Sequence, residues 1–303
     1  MADTAPSPAS RPLVGIFWMV VTGLLFVGFT AVVKATGGRL PAAESAFLRY
    51  ALGLIFFLPF LPRVLRIRLD GKTLGLLVVR GVFHTAGVIA WFYAMTQIPI
   101  AEVTAINYLN PVFVTLGAAL FLGEKLAFRR LMAISVALLG ALIVLRPGVR
   151  ELLPGHFAMI GTAVSFAVAY LILGPIAKRI EPFVIVVLLS VTVTIGLTPF
   201  ALAVWVPPTP TEVMWLFAVA GLATAGHFTM TLAFAAAPLT VTQPVTFLQL
   251  VWSVALGAIV FGEGVDPWVI AGGGMIITAV SFITWREHKL KRRVTPGANE
   301  AKG

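Results

Sequence analysis

Polar side chains set into long apolar runs are the positions where this chain could do chemistry. Arg80, His84, Gly87, Trp91 and Met95 share one face of a helix at helical spacing. Thr104, Asn107 or Tyr108, Pro111 and Thr115 make a second stripe, and Thr242, Thr246, Gln249 and Ser253 a third. Thr224, His227 and Thr231 lie together, as do Trp18 with Thr22, and Thr162 with Ser165 and Ala169. In an apolar solvent such groups turn towards the interior of a bundle. Indoles there offer flat apolar surface, amides and hydroxyls offer hydrogen bonds, and Arg80 attracts an anionic group. The candidate substrate-binding surface is therefore Trp18, Arg80, His84, Trp91, Asn107, Tyr108, Asn110, Ser165, His227, Gln243, Gln249 and Trp252. Pro111 and Pro244 remove backbone bonds inside their helices and are the candidate gating hinges.

Packing competes with binding at each of these positions. Ser and Thr hydroxyls in spans bond the preceding turn, and glycines such as Gly87 and Gly226 permit close helix contact. His84 and His227 read as helix-packing groups, and Arg49 as a structural residue that snorkels and pairs with Glu44. Glu124 and Glu263 read as helix caps. What is missing narrows the chemistry further. All 12 Asp and Glu lie at the ends of apolar runs or between them, so no carboxylate sits at mid-membrane to carry a lipophilic cation. There is no cysteine, the four histidines lack metal-ligand spacing, and no phosphate-binding loop occurs. No catalytic residue, metal or cofactor is expected.

The elements that position these residues follow from composition. Hydrophobic residues make up 59% of the 303 and charged ones 11%, with a mean hydropathy of +0.99. Lipid is the solvent of such a chain. A spanning helix needs about 20 apolar residues. Ten runs satisfy that length: 13–33, 44–62, 74–96, 101–122, 131–146, 155–176, 182–205, 212–235, 240–261 and 267–285. The net charge of +10 comes from Lys and Arg gathered in short loops, which points to a membrane surface rather than nucleic acid. Of the 22 Lys and Arg, most fall in the two tails and in the loops after the even-numbered runs. That bias puts both termini in the cytoplasm.

A repeat runs through the pattern. Adding 139 to Thr85–Glu124 gives Thr224–Glu263 without a gap, matching Thr85-Ala86-Gly87 to Thr224-Ala225-Gly226, Pro99 to Pro238, and Gly123-Glu124 to Gly262-Glu263. Near the start of each half an offset of 140 matches Gly15, Thr22 and Phe26 to Gly155, Thr162 and Phe166. Residues 1–12 then form a disordered cytoplasmic tail, 13–150 a first five-helix repeat, 151–286 a second, and 287–303 a basic cytoplasmic tail. Five spans is an odd number, so the second copy enters the membrane inverted. Inverted repeats let one central site open alternately to each side. The fold class is all-α integral membrane, ten helices in two inverted repeats around a central cavity.

With Phe47-Leu48-Arg49-Tyr50, Pro99, Asn110-Pro111, Gly123-Glu124-Lys125, Gly140 and Arg146-Pro147-Gly148, the chain resembles the drug/metabolite transporter superfamily in its ten-span EamA form. It departs where Gln249-Leu250 stands against Asn110-Pro111 and Gly264 against Lys125. It is most similar to YddG-type bacterial amino-acid exporters. The resemblance implies a place in a prokaryotic inner membrane and a cavity lined by the first, third, fourth, sixth, eighth and ninth spans, with the remaining spans as scaffold. It implies export of aromatic or neutral amino acids and related metabolites, secondary-active or facilitative, for which a monomer suffices. A multidrug exporter on the same fold is the alternative, and a membrane enzyme or sensor the more distant one. Partners are the small-molecule substrate and the lipid bilayer.

Overall fold

The computed structural model describes residues 11–294 apart from 37, 61, 63, 65, 68, 124–127, 150, 178, 238–241, 243 and 244. The described residues are overwhelmingly helical. The helices are α1 (Pro12–Ala35), α2 (Ala42–Gly53, tightening into 3-10 turns over Leu54–Phe60), α3 (Gly71–Gln97), α4 (Ile100–Asn107), α5 (Asn110–Leu122) and α6 (Phe128–Leu145). They continue as α7 (Pro154–Ala177), α8 (Pro182–Ala203), α9 (Pro210–Ala236), α10 (Leu248–Phe261) and α11 (Pro267–Val294). Counting α4 and α5 together, nine of these are long and apolar enough to cross a membrane, and α10 is a shorter apolar helix.

Local sequence explains the ends. Prolines occupy the first turn of α1, α8 and α9, where a missing N–H costs nothing. Thr209 and Glu212 cap α9 reciprocally: Glu212 N–H donates to Thr209 Oγ1 at 3.3 Å and Thr209 N–H to Glu212 Oε2 at 2.8 Å. Gly123 (φ 68°) and Gly262 (φ 64°) end α5 and α10 in the left-handed region, at positions 139 apart. Helix α11 runs to Val294, past the apolar run that ends at 285, so the basic segment after residue 286 begins as helix.

Side chains that lipid would meet are large and apolar: Ile259 is 83% exposed, Leu120 77% and Phe121 71%. The buried core, including Phe29, Phe92, Met95, Ile106, Met159, Leu197 and Ile276, draws on residues from both halves. Packing pairs elements at corresponding places. Helix α1 packs along α9 and α3 along α7; α1 meets α10 and α7 meets α5; α6 packs on α11 and α2 on α8. The close approaches match in the same way. A Cβ on Gly15 would lie 2.3 Å from Ala237 Cβ, where α1 begins and α9 has just ended. A Cβ on Gly155 would lie 2.7 Å from Gln97 Cβ, where α7 begins and α3 ends. The first contact is at the end of the bundle that carries residue 11, here the terminal end. The second is a helix length away, at the far end.

Candidate functional site

Spans four and nine each break midway. Helix α4 stops at Asn107, Tyr108 and Leu109 make a turn, and Pro111 sits in the first turn of α5. The corresponding break precedes Leu248, at Phe247. The two breaks touch: Tyr108 Oη donates to the Thr246 carbonyl at 3.3 Å, and the Tyr108 and Phe247 rings stand edge to face at 5.3 Å. Towards the far end the half-spans α4 and α10 are joined by a buried hydroxyl pair, Thr104 Oγ1 to Ser253 Oγ, at 2.7 Å.

Around this crossing, glycine notches take aromatic rings. The Phe166 ring lies against Gly87, where a Cβ would meet it at 2.7 Å, and Phe26 against Gly226 at 3.0 Å. Phe166 stacks on His84 at 4.7 Å and 25°, and meets Trp91 edge-on at 6.0 Å; Phe26 meets His227 edge-on at 5.2 Å. Two matched hydroxyls pin the same helix pairs. Thr162 Oγ1 donates to the Gly87 carbonyl at 3.1 Å, and Thr22 Oγ1 pairs with Thr229 Oγ1 at 2.9 Å.

A polar group gathers beside these rings. His84 Nε2 is 3.2 Å from Tyr50 Oη. Arg80, His227 and Arg49 all lie within electrostatic reach of His84, and Tyr170 within reach of Arg80 and Tyr50. Tyr170 is 51% exposed and His227 is also exposed, yet their neighbours are groups on other helices, so the surface they present is interior. Five donor atoms nearby, Arg49 Nε, Arg80 Nε and Nη1, Trp91 Nε1 and Trp252 Nε1, have no hydrogen-bond partner, and neither has the Thr85 hydroxyl next to His84 on α3.

The far end is closed by charge. The Glu263 carboxylate forms an ion pair with Lys34 Nζ at 2.6 Å and accepts from Ile100 N–H at 3.1 Å, while Lys34 donates to the Ile98 carbonyl at 2.9 Å. That cluster ties α1 and α10 to the junction of α3 and α4. Buried Glu102 meets His156 Nε2 at 2.7 Å, Arg146 pairs with Asp266, and Arg39 Nε donates to Glu212 at 2.6 Å. Glu212 also holds the Arg39 guanidinium above its ordinary pKa through that hydrogen bond. A small cleft lined by Pro99, Glu102, Glu263 and Asp266 lies beside this cluster, away from the aromatic wall. At the terminal end Asp70 pairs with Arg179 at 3.2 Å. Asp70, just before α3, accepts from Thr73, and that bond draws its carboxyl below the ordinary value.

Residues 13–146 match the description of the EamA-like transporter family. A riboflavin transporter of Rhizobium johnstonii is 32% identical over 296 residues, covering 94% of this chain and 95% of that protein. The chain belongs to the EamA-like transporter family. An S-adenosylmethionine uptake transporter of Rickettsia conorii is 27% identical over 282 residues, covering 93% of this chain and 96% of that one. A solved crystal structure with 17% identity and a TM-score of 0.57, covering 92% of this chain and 98% of that chain, shares the fold. These relatives are named for riboflavin and S-adenosylmethionine, so the resemblance holds at the level of the family and not of the YddG-type subgroup.

In this EamA-like transporter Arg80, His84, Trp91, Ser165 and His227 come together, with Ser165 against Gly87 beside Phe166. Tyr108, Gln249 and Trp252 lie near the crossing of the broken spans, where Gln249 and Trp252 flank Gly23 of α1. Asn107 is half-buried beside the break. Asn110 is held by packing, its amide donating to the Ala163 carbonyl at 3.2 Å. Trp18 lies a turn before Thr22 and packs on Phe17 at 5.2 Å. Pro111 is at the break, and Gln243 and Pro244 lie outside the described residues.

Three sequence readings are corrected. Arg49 does not pair with Glu44. Its guanidinium sits 4.0 Å over the Tyr50 ring, while Glu44 accepts from Val206 N–H at 2.9 Å. Glu263 is a tie between helices rather than a simple cap, and Glu124 lies outside the described residues. The second span is not only scaffold, since it delivers Arg49 and Tyr50 to the polar group. Sequence reasoning passed over Tyr50, Phe166 and Tyr170. Thr162, Phe166 and Tyr170 share one face of α7 at i, i+4 and i+8, the periodic signal that would have found them.

Proposed function

We propose that the protein is a secondary transporter of a small, flat, acceptor-rich metabolite of the flavin type, working by alternating access in a bacterial inner membrane. The observation that carries this reading is the set of unpartnered donors in the interior, the Arg49, Arg80, Trp91 and Trp252 nitrogens, in a bundle lined by the Phe26 and Phe166 rings. Apolar walls with a few convergent polar groups are what small-molecule sites present. An isoalloxazine offers ring faces to the aromatics and carbonyl and ring-nitrogen acceptors to the donors. The riboflavin transporter at 32% identity supports the same class.

Charge speaks against the other named cargo. S-adenosylmethionine carries a sulfonium cation, which needs a counter-charge when desolvated. Among the described residues, the groups acting on His84 are arginines and a histidine, with no carboxylate. The matched contacts at opposite ends of the two halves support an exchange of shapes between them. On this reading the ion pairs at the far end hold that side shut, and the substrate enters from the terminal end, the cytoplasmic side by the charge bias of the loops.

Aromatic amino-acid export is the second reading, because the same arginines could hold an α-carboxylate. Purified protein in liposomes distinguishes the two: riboflavin counterflow above empty vesicles, with no phenylalanine or tyrosine flux, supports the flavin class. Amino-acid flux without riboflavin flux overturns it.

A further inference from the structure

Arg80 is 6% exposed, lies more than two turns inside α3, and leaves Nε and Nη1 without a hydrogen-bond partner. Arg49 comes from α2, with its charge spread over the faces of Tyr50 at 4.0 Å and Phe29 at 5.9 Å and its Nε likewise unpartnered. Among the described residues neither arginine is paired with a carboxylate. The groups that act on Arg80 are the hydroxyls of Tyr170 and Tyr50, and those that act on His84 are Arg80, Arg49 and His227. Two cations held inside a membrane protein without a counter-ion carry a large desolvation cost, and such groups normally find an anion.

We propose that Arg80 and Arg49, with His84 and Tyr170, form an oxyanion site that binds the carboxylate or phosphate of an anionic substrate. Three helices bring these side chains together. Tyr50 Oη bridges the arginine-bearing α2 to His84, and His84 is fixed by its stack on Phe166. Tyr170 lies half-exposed on the opposite helix α7, one turn from Phe166. A guanidinium presents a planar fork of donors that matches a two-oxygen anion, and the phenol and imidazole add single donors around it. The ring wall takes the flat part of the same molecule. The site therefore prefers, within any ring class it accepts, the member that carries the negative charge. Identifying that ring as flavin rests on the function proposed above; the anion preference does not.

Matched pairs of ligands test the two separately, by calorimetric titration of the purified protein in lipid nanodiscs. One pair is riboflavin and flavin mononucleotide. The other is benzyl alcohol against benzoate and phenyl phosphate. The charged member of at least one pair should bind about tenfold or more tightly than its neutral partner, the effect of one charged hydrogen-bonded contact. Benzoate against phenyl phosphate tells which oxyanion fits better. Arg80→Gln should erase the preference, and Arg80→Lys should restore part of it. Equal affinity of charged and neutral members in both pairs overturns the site, as does a preference that survives Arg80→Gln combined with Arg49→Gln. The wild-type comparison needs no variant, so a variant that fails to fold does not shelter the proposal. If neither flavin binds but benzoate outbinds benzyl alcohol, the oxyanion site stands and the flavin reading falls.

Discussion

Replacing Glu263 with Gln should loosen the far end without touching the interior wall. The amide oxygen can still accept from Ile100 N–H, so the change isolates the ion pair with Lys34. The side chains of Lys34 and Glu263 are 20% and 13% exposed. Exposed pairs contribute up to about 1 kcal/mol, and breaking a fully buried pair costs about 3–5 kcal/mol. The intermediate burial here gives about 2 kcal/mol, or roughly thirtyfold in the ratio of closed to open far ends. Ser253, fully buried behind the tie, is a reporter. The chain has no cysteine, so Ser253→Cys can be labelled alone. With a membrane-impermeant thiol reagent applied at the far side, Glu263→Gln should raise the labelling rate at least about tenfold over the same cysteine variant with Glu263 intact. Glu212→Gln is the control. Its partner Arg39 joins the α1–α2 loop to α9, helices that already pack together, so the rate should not change. Equal rates for Glu263→Gln and its parent would refute the assignment of Lys34–Glu263 as the closing contact.

Other substitutions probe the packing and the ends. Gly140→Ala and Gly272→Ala each drive a methyl into backbone, at 2.6 Å from the Gly272 carbonyl and 2.4 Å from the Gly140 carbonyl, and should lower thermal stability in detergent by about 1–3 kcal/mol. Gly274→Ala, with nothing within 4 Å, should stay within about 0.5 kcal/mol of the parent in the same assay. Thr104→Val and Ser253→Ala should show a coupling of about 1 kcal/mol in a double-mutant cycle read by unfolding, because either change alone breaks their 2.7 Å bond. Asp70 is drawn below its ordinary value of 3.8 by the Thr73 hydroxyl and then by Arg179. Its contribution is therefore complete above that value and disappears as pH falls through the lowered one, so the stability gap between the parent and Asp70→Asn should close on acidification and stay constant near neutrality.

The length and spacing of apolar runs carried the helices, because lipid demands about 20 apolar residues from any span. The break at Tyr108–Leu109 was visible in Asn110-Pro111; at the matching place in the ninth span Gln249-Leu250 stands instead, and only Pro244, three residues before Phe247, signalled the second break. Phe26 and Phe166 were aligned at offset 140, and Gly87 and Gly226 at 139, before any geometry was known. That each phenylalanine fills the notch of the glycine from the other half is a property of packing, and no spacing within one helix encodes it. Arg49 misled for a related reason. Glu44 lies five residues away and is the obvious ionic partner, but its carboxylate is taken up by the Val206 amide from a distant loop. The substrate class was least legible, because amino-acid and flavin carriers need the same aromatic faces and donors.

Everything proposed for transport depends on the two halves lying head to tail. Arg11 and Glu151 occupy corresponding places, 140 residues apart, at the starts of the two halves, and both are exposed. In a chain free of cysteine, Arg11→Cys and Glu151→Cys can each be labelled from one side of intact cells or sealed vesicles. Arg11→Cys should react only from the cytoplasmic side and Glu151→Cys only from the opposite side. Reaction of both from the same side would mean that the halves are not inverted.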